Sequence, residues 1–207
     1  MTAGDGGRHA MADLWALLAE LLSFPGPALE EEVPRGAVRS AVAHLAGHLD
    51  WDPAPLLTGL TATVPGSSLE SEFIRLFDAP DGATTPLYTG VYSRRRRDAM
   101  EELLRFYRHF GLTVAGGAHD LPDYVPTVLE FLRFLTLRAA TDGAGEPAEA
   151  AAADVIQRHL DPWAAQTARR LQGRAPHPFY AAAVGLVAAA CALALEQRPQ
   201  LTESPSR

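Results

Sequence analysis

Reactive side chains are sparse in this chain, and most of their spacings fail the chemistry they suggest. His44 and His48 stand four apart, so a helix would turn both imidazoles to one side, where they could share a zinc ion. Neither a third ligand nor the glutamate of a zinc-hydrolase helix accompanies them, and surface histidines are the simpler reading. Cys191 is the only cysteine, which excludes an intrachain disulfide and a multi-cysteine metal site and suits a reducing compartment, the cytoplasm. "AGGAHD" lacks the Lys-Ser/Thr of a phosphate-binding loop, and no Gly-x-Ser-x-Gly elbow supports a hydrolytic serine. The sequence therefore offers no positive sign of catalysis, and no metal or other cofactor is expected.

Two charged segments remain. Arg94–Arg97, in "YSRRRRDAM", invites a nucleic-acid patch, a targeting signal or an export motif. An export motif belongs near the N-terminus and precedes an apolar stretch, whereas "DAMEELLRFYRHF" is amphipathic. The net charge of −7 opposes nucleic-acid binding, whose affinity comes from basic residues releasing phosphate counterions. A solvated helix start, with contacts to carboxylates such as Glu101, is the plainer reading; a helical regulatory or nucleic-acid-binding protein using these arginines is the alternative. All 18 basic residues are arginine, which fits GC-rich coding alongside abundant Ala, Gly and Pro.

The other segment is "HDLPDYVPTVLEFLRFL", an acidic, proline-punctuated turn ahead of an apolar run. Asp123 suits a helix N-cap, its carboxylate accepting a backbone N–H at the positive end of the helix dipole. With that cap, Pro126 falls at the third helical position and offers no N–H. One backbone donor is then left within reach, and the second oxygen is free to point outward. Pro122, Pro126 and Tyr124 would hold the carboxylate in place for a bidentate contact with an incoming guanidinium. Capping alone and capping with recognition both fit the spacing.

The elements that position this turn read as helices throughout. Met11, Leu14, Trp15, Leu18, Leu21 and Leu22 follow a helical stripe that "FPGP" ends. Further helices are expected over 36–49, after Asp52-Pro53, over 68–77, over 98–110 with Gly111 as a left-handed close, after Asp123, near 150–159, over 161–172 and over 179–196. The alanine-rich run Phe179–Leu195 falls just short of a membrane span and reads as a buried core helix, so no stable membrane insertion is expected. No strand pattern or internal repeat is present. With 207 residues, nearly half apolar, the chain is expected to form one compact all-α domain of about nine helices over 11–196. Residues 1–10 and 197–207 would be flexible ends, and 141–149 would join the two halves. The N-terminus lacks the layout of a secretory signal.

The order of several motifs resembles the TorD/DmsD/NarJ family of molybdoenzyme maturation chaperones. The carriers are "LESEFIRLF" (69–77), "PLYTGVY" (86–92), "LLRFYRHFGL" (103–112), "DLPDYVPTVLEFL" (120–132), "IQRHLDPW" (156–163) and "HPFYAAAVGLV" (177–187). The resemblance implies a TorD-like helical fold and binding without catalysis. It implies as partner the apo catalytic subunit of a dimethyl sulfoxide reductase-class enzyme, held through its twin-arginine leader until molybdopterin is inserted. Within the family the turn is nearer the NarJ-like and type II chaperones. The expected peptide site combines Tyr88, Val91 and Tyr92 with Asp120, Pro122, Asp123, Tyr124 and Glu130, with Tyr124 standing where the family has a histidine. The resemblance leaves a monomer and a dimer exchanging halves across 141–149 both open.

Overall fold

The structure, a computed structural model, describes residues 3–78, 85–113, 121–139 and 145–197. Ten α-helices lie among these residues: α1 (Ala3–Leu21), α2 (Pro27–Arg35), α3 (Ala37–Leu49), α4 (Ala54–Leu57), α5 (Leu69–Phe77), α6 (Arg96–His109), α7 (Val125–Ala139), α8 (Gly145–Val155), α9 (Asp161–Gln172) and α10 (Pro178–Glu196). Short 3-10 turns occupy Gly59–Thr61 and Thr89–Tyr92. Among the described residues no β-strand forms, only isolated bridges at Val64–Ser67 and Tyr88–Tyr124. The all-α expectation holds, with nine helices longer than one turn beside the four-residue α4.

Long antiparallel contact between α1 and α7 makes the centre. Leu14, Trp15, Leu18 and Leu22 meet Val128, Leu129, Leu132 and Leu135 in one apolar cluster, all essentially without solvent contact. Helix α3 covers α1, α8 covers α7, and α10 packs against α9 and α1. Because α10 is apolar nearly all round, it must be enclosed. It is also long and apolar enough to cross a membrane by composition, yet Phe179, Tyr180, Ala183, Val184, Leu186, Val187, Ala190 and Cys191 are buried within the chain's own core. The same burial pushes the Cys191 thiol upward, so little reactive thiolate forms.

Three boundaries differ from the sequence reading, each for a physical reason. The helix expected to begin at Met11 already runs from Ala3, which corrects the expectation of a flexible start from that residue on. Arg8 ties it to Glu149 of α8 at 3.0 Å, and Ala10 is buried. The unforeseen α2 uses Pro27 in its first turn, where a missing N–H costs nothing, and carries Pro34 only in its last turn. Gly36, at φ 79°, then closes α2 and opens α3; Gly111, at φ 75°, follows α6 as expected. Finally, α8 and α9 are joined by a π turn over Ile156–Leu160. Pro162 lacks the N–H that would bond Arg158 in an α-helix, and a wider turn is one remedy. Asp120, residues 141–144 of the connection and 198–207 of the tail lie outside the described residues.

Helix α5 shows local chemistry that is easily tested. Ser68 caps it by accepting from Ser71 N–H at 3.1 Å, while the Ser71 hydroxyl accepts from Ser68 N–H at 3.2 Å. Ser68→Ala is expected to lower unfolding free energy by about 1 kcal/mol in a urea titration, with an unchanged slope.

Candidate functional site

The expected site is built where the segment 86–92 meets the turn 121–125. Val125 N–H donates to the Leu87 carbonyl at 2.8 Å, and Thr89 N–H donates to the Asp123 carbonyl at 2.9 Å. Between these bonds Tyr88 and Tyr124 pair, their ring centroids 5.5 Å apart. The turn is fixed from the other side by Tyr107 of α6, whose hydroxyl donates to the Pro122 carbonyl at 2.8 Å. Trp163 of α9, wholly buried, donates its indole N–H to the Pro86 carbonyl at 3.1 Å.

Asp123 is 0% exposed, which corrects the expectation that one of its oxygens points outward. Nor does it cap α7. The first turn's needs are met elsewhere: Tyr124 N–H bonds the Leu121 carbonyl, Val125 N–H bonds Leu87, and Pro126 has no N–H. The carboxylate turns inward, and Oδ2 accepts from Gly90 N–H at 3.1 Å. Only glycine permits this approach, because a Cβ at position 90 would lie 2.7 Å from Oδ2. Arg96 supplies a cation from within the chain, its Nε 3.7 Å from Oδ2 and its guanidinium 5.3 Å above the Tyr88 ring. Oδ1 of Asp123 and Oγ1 of Thr89 are buried without a hydrogen-bond partner among the described residues.

The remaining expected residues separate into three places. Tyr88, Val91, Pro122 and Tyr124 are half-buried and Leu121 is exposed, with Tyr88 and Tyr124 paired as the centre of an aromatic corner. Tyr92 instead leans on α9. Its hydroxyl accepts from Thr167 at 3.2 Å, and Arg170 stands 4.7 Å over its ring. Burial pushes the Tyr92 phenol upward against the opposing pull of Thr167 and Arg170. Glu130 is exposed on α7, 3.6 Å from Arg133, and belongs to a groove shared with α1, away from Tyr92.

Arg96 and Gly90 were absent from the expected site. The arginine tetrad reads in sequence as a solvated helix start, and for two members that reading fits: Arg97 pairs with Glu101 at 3.0 Å and Arg95 lies 3.6 Å from Asp98. With three of the four so engaged, the tetrad is poorly arranged for phosphates. Also unforeseen is a buried polar link behind the corner, where His159 Nε2 lies 3.3 Å from Glu102, which also pairs with Arg158. Burial pushes His159 below its ordinary range, more strongly than Glu102 pulls it up. The sequence signal for this link, a histidine four residues before Trp163, is too common to single out. His44 and His48 are exposed with rings 4.9 Å apart, and no cluster of three metal-ligating residues occurs among the described residues.

The helical core thus carries, where 86–92 meets 121–125, a corner built on the paired Tyr88 and Tyr124. The chain belongs to the nitrate reductase delta subunit family, whose model matches residues 35–169. It is 32% identical over 205 residues to the selenate reductase assembly chaperone of Thauera selenatis, covering 94% of this chain and 95% of that one. To the chlorate reductase assembly chaperone of Ideonella dechloratans it is 36% identical over 142 residues, covering 64% of this chain and 74% of the other. These relatives are assembly chaperones, not catalysts. A candidate redox enzyme maturation protein from Archaeoglobus fulgidus, known from its crystal structure, shares the fold, with a TM-score of 0.54 at 16% identity over 86% of this chain and 91% of that one. The expected family and fold are thereby established.

Proposed function

We propose that this chain is a cytoplasmic chaperone for the catalytic subunit of a dimethyl sulfoxide reductase-class molybdoenzyme. It binds that subunit's twin-arginine leader and holds the apo protein until molybdopterin is inserted. The observation that carries the reading is the corner of Tyr88, Val91, Leu121, Pro122 and Tyr124, apolar yet accessible and braced from beneath by Asp123. Bracing lowers the ordering cost of binding, and aromatic rings supply contact area with few rotatable bonds. Exposed ion pairs contribute only about 0.2–1 kcal/mol each, so apolar burial must supply most of the affinity while charge selects the partner. Relatives acting on selenate and chlorate reductases support a client of the NarJ-like, type II group.

The test is purification of a tagged chain from its native host, with mass spectrometry of whatever co-elutes. A large molybdenum subunit lacking its cofactor is expected, and Tyr88→Ala/Tyr124→Ala should reduce its yield at unchanged chaperone stability. Salt-sensitive retention on nucleic acid with no such subunit would replace this reading with the arginine-tetrad alternative. Size-exclusion chromatography of the purified chain separates a monomer from a dimer exchanging halves across 141–149.

A further inference from the structure

Around the first turn of α7 from the aromatic corner lies a groove of about 590 Å³ between α7 and the C-terminal half of α1. Ala16, Leu17, Ala19 and Pro126 make its apolar walls, and Glu20 and Glu130 are its charged lining residues, with no basic residue among the lining. Both carboxylates are exposed, so an approaching charge does not have to uncover them. Glu20 has no ion-pair partner among the described residues, and Glu130 meets only Arg133, at 3.6 Å, which is long for a charge-assisted hydrogen bond.

The backbone reinforces the sign of this field. Glu20 occupies the last turn of α1, where the helix presents the negative end of its dipole. The facing end of α7 would ordinarily attract an anion. That attraction is blunted here, since Val125 N–H is already bonded to Leu87 and Pro126 has no N–H to offer. Small side chains at Ala16 and Ala19 leave room for a bulky apolar residue, and the carboxylates stand ready for two separate cations.

We propose that this groove receives the paired arginines and the first apolar residues of a client's leader, leaving the aromatic corner to hold the segment beyond. The inference rests on the leader-binding reading above and adds Glu20, a residue of α1, to that reading. Charge complementarity identifies the occupant: a doubly cationic segment continuous with an apolar one matches two carboxylates on an alanine, leucine and proline floor. An anionic or purely apolar peptide does not.

Fluorescence anisotropy with a labelled peptide bearing Arg-Arg ahead of a leucine-alanine run, and with its Gln-Gln counterpart, tests the groove directly. Glu20→Gln/Glu130→Gln should weaken the Arg-Arg peptide about three- to tenfold and flatten its salt dependence, while leaving the Gln-Gln peptide unchanged. Ala16→Trp, which fills the trough, should weaken both peptides, and Glu20→Arg/Glu130→Arg should come to prefer a Glu-Glu version. Thermal melting confirms that each variant is folded. Equal binding of Arg-Arg and Gln-Gln peptides by the native chain, or no loss in the glutamine variant, overturns the groove. If native and glutamine variants then still capture the molybdenum subunit equally, the chaperone reading stands without it; if the native chain captures none, that reading falls on its own.

Discussion

Asp123→Ala should lower the unfolding free energy by about 3 kcal/mol, a larger effect than any surface carboxylate would give. The substitution leaves the buried Gly90 N–H without its acceptor and Arg96 without the carboxylate beside it. It also hollows the space beneath Tyr88 and Tyr124, so loss of client binding should accompany loss of stability. Asp123→Asn retains an acceptor for Gly90 and loses only the charge, so about 1 kcal/mol is expected. Urea titrations of the two variants rank these costs. If Asp123→Ala were as stable as the native chain yet failed to bind leader peptide, the carboxylate would be a contact residue and not a brace. Gly90→Ala offers an independent check, because its Cβ would occupy the space that Oδ2 now fills.

The second large effect belongs to Glu72, which joins α5 to the start of α10. Its side chain is 7% exposed, accepts from His177 N–H at 2.6 Å and receives two bonds from Arg75, each 2.6 Å. Glu72→Ala should cost about 3 kcal/mol, because a buried N–H loses its acceptor while the helix junction loses its clamp. Burial pushes the Glu72 carboxyl up, but the Arg75 bonds and the His177 N–H outweigh it and hold the group below its ordinary value of 4.5.

His177 adds a pH dependence of its own. Its Nδ1 accepts from Phe179 N–H at 3.2 Å, as only a ring unprotonated at that nitrogen can, and burial holds it below the ordinary 6.5 against the pull of Glu72 and Glu30. The unfolded chain therefore takes up the histidine proton first. Stability from this group is complete above about pH 6.5 and declines as pH falls through the lower folded value. His159 is depressed in the same direction and adds to the same window. Glu72 acts lower, its contribution being lost as pH falls below about 4.5 through the folded value. Denaturation followed against pH should show two descents. His177→Gln should shrink the upper one, His159→Gln with it should remove that descent, and Glu72→Gln should act on the lower.

The helices were legible where their signals are local. The stripe from Met11 to Leu22, the apolar spacing over 68–77 and the glycine at 111 each state an element within a few residues. Helix α2 was not legible, because its prolines read as breakers unless their positions within the turn are known. The site divides in the same way. Tyr88 and Tyr124 do pair, but the true partner of Asp123 is an N–H 33 residues earlier in the chain, and nothing around Asp123 announces it. Tyr92 has the composition of a surface contact and the environment of a packed one. Glu20 is silent in sequence for the opposite reason: on its own helix it is an ordinary solvent-facing residue, and only the approach of α7 gives it a counterpart in Glu130.

The π turn before Pro162 also sets a limit on how this chain can change length. Each residue of an α-helix advances the side-chain direction by about 100°. A π turn carries one residue more than the α turn it replaces, so removing one residue from Ile156–Leu160 would restore ordinary winding with little change in the direction of α9, leaving Trp163 facing Pro86 and Thr167 facing Tyr92. A single-codon deletion here should thus cost chiefly the clash between the Pro162 ring and the carbonyl four residues before it, whereas one later in α9 would turn every side chain that follows by a full step.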